Sequence, residues 1–231
     1  KGTYPAYYPL QRHPYEPSYL YEAAIRPLEY YALKGVLWYQ GESNAHNVEV
    51  HERLFRLLEQ SWRNAFSTRS EHHQVPNQTL PFYVVQLSSL PRPSWPAFRD
   101  SQRRLADELP WTWMAVTTDL GEVNDVHYRT KRPVGERLAL QALRHTYGHE
   151  LDSEGPTIAS VRHGEGESVV IRFRHGEGLT CTRGFELAGY DGLFYPADIE
   201  VSGSTIRLTS PEVYSPASVR YGWSGFTDAD L

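Results

Sequence analysis

Cysteine is almost absent from this sequence. Cys181 is the only one among 231 residues, so neither an intrachain disulfide nor a cysteine-based metal site can form. A lone cysteine of this kind is typical of a small, buried, apolar side chain. We therefore assign Cys181 no chemical role.

Long apolar runs and clusters of basic residues are also missing. No stretch approaches the roughly 18 apolar residues that a membrane helix needs. The formal net charge is -5, and lysine and arginine are scattered, which gives no basic surface for nucleic acid or an anionic membrane. We therefore expect no nucleic-acid partner and no membrane partner. We also expect no cofactor.

The first residue of the chain and two segments without a helix or strand pattern also lead to predictions. The sequence begins with Lys1 rather than Met, and we expect it to be a segment of a longer protein whose upstream part, including any export signal, is missing. Residues 1–18 are rich in proline and predict an extended arm. Residues 67–80 lack periodicity and predict a surface loop, in which His72 and His73 are solvated rather than metal ligands.

Short apolar runs alternate with amphipathic segments up to residue 148. Strands are predicted at 35–39, 81–87 and 111–118, and helices after Ser18 and at about 48–66, 97–109 and 133–147. This alternation predicts an α/β fold with a parallel sheet and helices on both faces. The loops that follow Tyr39, Leu87 and Thr118 should then open on one edge of the sheet, where ligands bind. We expect the strands before Gln40 and before the 119–131 loop to be neighbours.

The pattern changes from Gly155 onward to short alternating segments separated by glycine-rich turns. These segments predict about five antiparallel strands, near 157–162, 168–174, 184–190, 205–209 and 217–222. The predicted division is an α/β domain over residues 1–153 and an antiparallel β region over residues 154–231.

Two polar loops on the expected sheet edge are candidates for the site. The first is the strand-to-helix turn that carries Gln40, Glu42, Ser43 and Asn44, whose backbone amides suit an anion. The second is the loop 119–131, where His127 lies two residues after Asp125, with Asp119 at the strand end. Imidazole titrates near neutral pH and is held in one tautomer by a carboxylate, which suits a general base. A structural or solvated histidine is the alternative interpretation.

These motifs resemble the sialate O-acetylesterase family. The similar segments are 38–45, 119–121, 125–127, residue 131, 134–139 and 147–148. Segments 184–192 and 219–223 are similar to the carboxyl-terminal β region of the family, so the resemblance covers most of residues 18–225. It implies an SGNH-hydrolase-like, flavodoxin-like fold, and removal of O-acetyl groups from sialic acids by a serine nucleophile and a histidine base.

The resemblance also implies roles for single residues. His127 matches the catalytic histidine, and Gln40 lies in the block that supplies an oxyanion donor. Asp125 is the nearest acid to His127, but the Asp-x-x-His spacing of SGNH enzymes falls on Asn124, so a backbone carbonyl is an alternative orienting group. In the family, proline is usual at the position of Tyr128.

Two more residues of the turn have expected roles, and one residue outside it differs from the family pattern. Glu42 is expected to support the turn, and Glu42 and Asn44 are the candidates for substrate contact. Glu22 stands where the family usually has asparagine.

The nucleophile of the family is not apparent in this sequence. It lies in a Gly-Gln-Ser-Asn-like block, and nothing before residue 34 resembles that block. Ser43, on the strand-to-helix turn, is an alternative nucleophile. The preferred interpretation is that the serine lies on an upstream portion of the same protein, and that this segment alone is inactive. We expect the protein to be periplasmic or extracellular.

A second hypothesis belongs to a different functional class. The chain is then a non-catalytic carbohydrate-binding or structural module on the same scaffold. Trp95, Trp111 and Trp223 are the side chains that it would use to stack on sugar rings, although tryptophan is more often part of a core.

Overall fold

Strands and helices alternate in the first part of the chain. The computed structural model describes residue 13, residues 16–67 and residues 80–231. The regular elements in this part are β1 (Val36–Trp38), α1 (Val48–Ser67), β2 (Phe82–Val85), α2 (Trp95–Glu108), β3 (Thr112–Ala115) and α3 (Arg132–His145). The predicted order of strands and helices is therefore confirmed. The loop with His72 and His73, and most of the arm over residues 1–18, lie outside the described residues.

The helix predicted after Ser18 is short and irregular. It consists of a π-helical turn, Tyr21–Ile25, followed by a 3₁₀ turn, Arg26–Leu28. Ser18 does not cap it, because its φ is 65° and no side chain caps the π turn. None of the residues in the two turns is buried.

The three strands form one parallel sheet in the order β1-β2-β3. Val36 pairs with Phe82, and Val84 pairs with Met114. All four residues of β2 are buried, which suits a continuous apolar run in a central strand. The expectation that β1 and β3 are neighbours is wrong, because β2 lies between them.

Helices cover both faces of this sheet. Phe82 shares a core cluster with Phe55 of α1 and Leu105 of α2. Tyr83, which points to the opposite face, packs in a second cluster with Val134 of α3. The predicted α/β class, a parallel sheet with helices on both faces followed by an antiparallel β region, is confirmed.

The rest of the chain forms two antiparallel sheets. Their strands are β4 (Thr157–His163), β5 (Val169–Arg174), β6 (Phe185–Ala188), β7 (Phe194–Pro196), β8 (Asp198–Ser202), β9 (Thr205–Thr209) and β10 (Ser218–Tyr221). The strand orders are β10-β6-β7 and β4-β5-β9-β8. The prediction of about five strands missed β7, which is three residues long and ends in proline, and β8, which is mostly exposed.

Cys181 lies in the core of this β region, as predicted. It is 6% exposed and packs with Phe185 and Val213. Burial raises the pKa of its thiol to about 11, so the reactive thiolate is scarce at neutral pH.

The end of the chain packs against the α/β part. Leu90 N–H donates to the Gly225 carbonyl (2.9 Å). Arg99 of α2, which is 3% exposed, donates to the Gly222 carbonyl (3.3 Å) and to the Ser224 carbonyl. Burial lowers the pKa of Arg99 to about 10, which leaves the guanidinium charged at neutral pH. The two parts are thus joined at the loop that follows β2; a division at residue 153 stays a prediction.

Candidate active site

The turn after β1 is pressed against helix α2. Gly41 has φ 148°, and a Cβ at this position would lie 2.6 Å from the Phe98 ring. Only glycine fits this approach without a shift of the ring or the turn. This close packing against Phe98 fixes the position of the turn, and with it the polar residues on either side of Gly41, relative to α2.

Gln40 is oriented within this turn by Asn44. The Gln40 amide nitrogen Nε2 donates to Asn44 Oδ1 over 2.5 Å, and the pair is partly buried. This contact uses one of the two N–H donors of the amide and leaves the other for a further acceptor. Asn44, predicted to contact substrate, thus has a contact with the predicted oxyanion donor; a role in substrate binding stays a prediction.

The loop after β3 presents His127 to solvent. The His127 side chain is 91% exposed. Asp125 Oδ1 accepts a hydrogen bond from the His127 backbone N–H (2.8 Å), and lies 4.0 Å from ring nitrogen Nδ1. That second distance is too long for a hydrogen bond. Asp125 therefore fixes the backbone of the loop, whereas its predicted role in orienting the ring is not tested by this contact.

Asp119 is paired with an arginine of α3. Arg137 donates two hydrogen bonds to the carboxylate, over 2.6 and 2.7 Å. These bonds hold the pKa of Asp119 below its usual value, against the effect of burial. Asp119 thus connects the end of β3 to α3, and its negative charge is paired with the Arg137 guanidinium.

The two loops meet through tyrosines that flank the predicted catalytic residues. Tyr39 precedes Gln40, Tyr128 follows His127, and the Tyr39 hydroxyl donates to the Tyr128 hydroxyl over 2.9 Å. Lys131 Nζ donates to the Tyr39 hydroxyl (3.1 Å) and lies 3.4 Å from the centre of the Tyr128 ring. We call these three residues the tyrosine bridge. Gln40 and His127 thus lie on adjoining loops, although β2 separates their strands.

Sequence reasoning missed this bridge. The contact joins residues 89 apart in the chain, and no local pattern predicts such a pairing. One signal was present, because Tyr128 departs from the proline that is usual at this position in the resembling family. Glu42 is half-buried and close enough to favour the charged form of Lys131.

Among the described residues, no group of three or more His, Cys, Asp or Glu side chains is arranged to hold a metal ion. None of the helices in the described ranges is long and apolar enough to cross a membrane.

The fold and the site define an α/β protein with two polar loops at the carboxyl ends of parallel strands, the position at which such proteins bind ligands. A family model described as "Carbohydrate esterase, sialic acid-specific acetylesterase" matches residues 10–144, more than half of the chain. The chain belongs to this family of carbohydrate esterases.

Individual relatives agree with the family. The sialate O-acetylesterase of Mus musculus is 36% identical over 158 residues, which are 60% of this chain and 28% of that protein. The Homo sapiens sialate O-acetylesterase is 35% identical over 159 residues, 62% of this chain and 30% of that protein. The crystal structure of a carbohydrate acetylesterase from Xanthomonas citri superposes with a TM-score of 0.76 and 33% identity, and covers 87% of this chain. The chain spans 47% of that structure and less than a third of the two sialate O-acetylesterases.

Proposed function

We propose that this chain supplies the histidine base and the oxyanion donor of an esterase that removes O-acetyl groups from sialic acids or related acetylated sugars. The observation that carries the proposal is the contact between the Gln40 turn and the His127 loop, where the Tyr39 and Tyr128 hydroxyls are 2.9 Å apart. Membership of the carbohydrate esterase family supports ester hydrolysis as the reaction class.

His127 is the proposed general base. It takes the proton of a serine hydroxyl as the serine oxygen attacks the acetyl carbonyl, and gives that proton to the departing sugar oxygen. The same histidine then takes a proton from water as the water attacks the acetyl-enzyme, and gives that proton to the serine oxygen as the serine–acetyl bond breaks and acetate leaves. The 91% exposure of the His127 side chain supports this role, because the ring is open to an incoming serine and substrate. Asp125 holds the loop that presents the ring.

Gln40 is the proposed oxyanion donor. The amide nitrogen has a second N–H beyond the one bonded to Asn44, and an oxyanion donor of this kind stabilises a tetrahedral intermediate by about 3 to 4 kcal/mol. We assign Asn44 to holding this amide as well as to substrate contact. Glu42, two residues after Gln40, is the proposed acceptor for a sugar hydroxyl.

We further propose that the serine lies on a portion of the same protein outside these 231 residues. Within residues 16–67 and 80–231, no serine hydroxyl is hydrogen-bonded to the His127 ring, and β1 pairs only with β2. On β1 the Leu37 side chain is 62% exposed, and α1 exposes Leu54 and Leu57. A further strand and helix would cover these apolar side chains. The Xanthomonas citri structure supports their presence, because this chain matches only 47% of it. Ser43, which is exposed on the turn, is the alternative nucleophile.

Acetate release tests the proposal. The chain is measured alone and joined to the serine-bearing portion, with an O-acetylated sialic acid and a neutral O-acetylated sugar as substrates. We expect release only from the joined protein, and its loss in His127→Ala but not in His149→Ala, a change of another exposed histidine after α3. Release by the chain alone that is lost in Ser43→Ala would instead assign the nucleophile to Ser43, and a fully active His127→Ala protein would remove His127 from the mechanism.

A non-catalytic carbohydrate-binding module is the second candidate. It is favoured by Trp111 and Trp223, which are 44% and 39% exposed. Trp95 does not support it: the side chain is 2% exposed and its Nε1 donates to the Ser88 carbonyl, so the idea that Trp95 stacks on sugar is wrong. Binding of acetylated sugar that is weakened by Trp223→Ala, without acetate release by the joined protein, would select this candidate.

Location in the periplasm or outside the cell is also a proposal, supported only by the family resemblance. Fractionation of cells that express the longer protein tests it. Material confined to the cytoplasm would contradict it.

A further inference from the structure

The tyrosine bridge connects the two loops of the site through one hydroxyl group. Lys131 has only donors, so its contact with the Tyr39 oxygen (3.1 Å) makes Tyr39 the acceptor. The Tyr39 hydroxyl then donates its own proton to Tyr128 (2.9 Å). The two hydrogen bonds run from Lys131 through Tyr39 to Tyr128, and the Ser88 side chain also hydrogen-bonds the Tyr39 hydroxyl.

One end of the bridge is anchored in the core. Tyr128 is 1% exposed and packs in the cluster that contains Val85 of β2 and Val134 of α3. Tyr39 is 37% exposed, so the contact runs from a rigid interior to the solvent-facing turn. If the loops separated, the buried Tyr128 hydroxyl would lose its hydrogen-bond partner at a cost in free energy, and this cost favours the contact between the two loops.

Burial and neighbouring charges shift the pKa values of Tyr39 and Lys131. Burial, followed by the contact with Tyr128, raises the pKa of Tyr39, so its hydroxyl keeps its proton through the neutral range. Burial lowers the pKa of Lys131, while Glu42, Asp125 and Glu122 oppose this shift. The Lys131 ammonium also lies 3.4 Å from the centre of the Tyr128 ring, a cation–π distance.

We propose that Tyr39, Tyr128 and Lys131 are positioning residues that set the separation between the Gln40 amide and the His127 imidazole. Each tyrosine is adjacent in sequence to one of these two groups, so a change at either hydroxyl alters the relative placement of both. The inference rests on the proposed esterase function and adds to it.

The test removes single hydroxyls in the joined, serine-bearing protein. Tyr39→Phe and Tyr128→Phe keep the rings and delete the contact. Tyr83→Phe is the matched control, because Tyr83 is 2% exposed in the same cluster, but its hydroxyl bonds Thr146 (2.7 Å) beyond the end of α3. We expect kcat to fall about tenfold in the two bridge variants with KM little changed, since small misplacements of reacting groups slow the chemical step. Tyr83→Phe should leave both constants unchanged.

Two kinetic outcomes would overturn the proposal: full kcat in both bridge variants, or an equal loss in Tyr83→Phe. A Lys131→Arg protein should keep more activity than Lys131→Met, because arginine keeps the donor and the positive charge. A higher kcat in Lys131→Met than in Lys131→Arg would also contradict the proposed role of the tyrosine bridge.

A second measurement separates this inference from the proposed function. In this chain alone, Tyr128→Phe should shift the NMR resonances of the Gln40 side-chain amide, and Tyr39→Phe should shift those of the His127 ring. Unchanged resonances on the opposite loop would overturn the bridge whatever the joined protein does. If the resonances shift but the joined wild-type protein releases no acetate, the bridge stands and the esterase proposal fails.

Discussion

Polar side chains at the two ends of the parallel sheet have different surroundings. At the amino end of β3, Arg63 is 5% exposed, forms a 2.6 Å ion pair with Glu59 and donates to the Pro110 carbonyl over 2.7 Å. At the carboxyl end, His127 is 91% exposed and Gln40 keeps one amide donor beyond its bond to Asn44. The comparison teaches that the paired, buried groups hold the sheet together, whereas the exposed groups with spare hydrogen-bonding capacity are available to a ligand.

The largest expected effect is on stability at the amino end. Arg63→Met leaves the buried Glu59 carboxylate unpaired, which should cost about 3 to 5 kcal/mol of unfolding free energy. Arg56→Met is the control on the same helix, because the ion pair of Arg56 with Glu108 is exposed and should be worth about 1 kcal/mol or less. Chemical denaturation measures both. Equal losses in the two variants would remove the distinction between buried and exposed pairs.

A change of comparable size, in rate rather than stability, is expected at the carboxyl end. Gln40→Ala should lower kcat of the joined protein about 10²- to 10³-fold, as loss of an oxyanion donor does, with little change in unfolding free energy. Gln141→Ala should show the opposite pattern, because Gln141 is 2% exposed and its amide donates to the Ser153 carbonyl (2.9 Å). Acetate release and denaturation are measured on both. Unchanged kcat in Gln40→Ala would contradict the oxyanion assignment.

An intermediate effect is expected at Asp125. Asp125→Ala removes the acceptor of the His127 backbone N–H and should cost about 1 kcal/mol in loop stability, together with a modest loss of rate. Asp125→Asn keeps an acceptor oxygen and should keep most of the rate, if the backbone contact is what matters. A rate as low in Asp125→Asn as in Asp125→Ala would instead show that the negative charge orients the imidazole.

The smallest expected effect is a pH dependence at Asp119. Its pKa is lowered in the folded chain, chiefly by the hydrogen bonds from Arg137, so its contribution to stability is present above the unfolded pKa of about 4 and is lost as pH falls through the folded pKa. Because the pair is partly exposed, the contribution should be about 1 kcal/mol or less. The stability difference between wild type and Asp119→Asn should therefore shrink below about pH 4. A difference that grows on acidification would refute this sign.

The local part of this architecture was predictable from sequence. The 3.6-residue spacing predicted α1 at about 48–66, and the structure has Val48–Ser67. The sequence predicts the start of α2 at residue 97, whereas the helix begins at Trp95 and carries Pro96 in its first turn, a position to which proline is well suited.

The long-range part was not predictable. The place of β2 between β1 and β3 depends on strand pairing, which a hydrophobic pattern does not specify. The tyrosine bridge depends on two loops meeting in space, and the burial of Trp95 depends on its packing with Leu87 and Phe98. The candidate residues themselves were available from motifs, but their contacts, such as that of Asn44 with Gln40, required the structure.

The most direct test of the site is a crystal structure of the joined protein after reaction with a phosphonate ester, which mimics the tetrahedral intermediate on the serine. The account predicts the phosphoryl oxygen about 2.7 to 3.1 Å from Gln40 Nε2, with the His127 ring in hydrogen-bonding distance of the serine oxygen. A modified serine whose phosphoryl oxygen lies far from Gln40, or that faces a histidine other than His127, would contradict it.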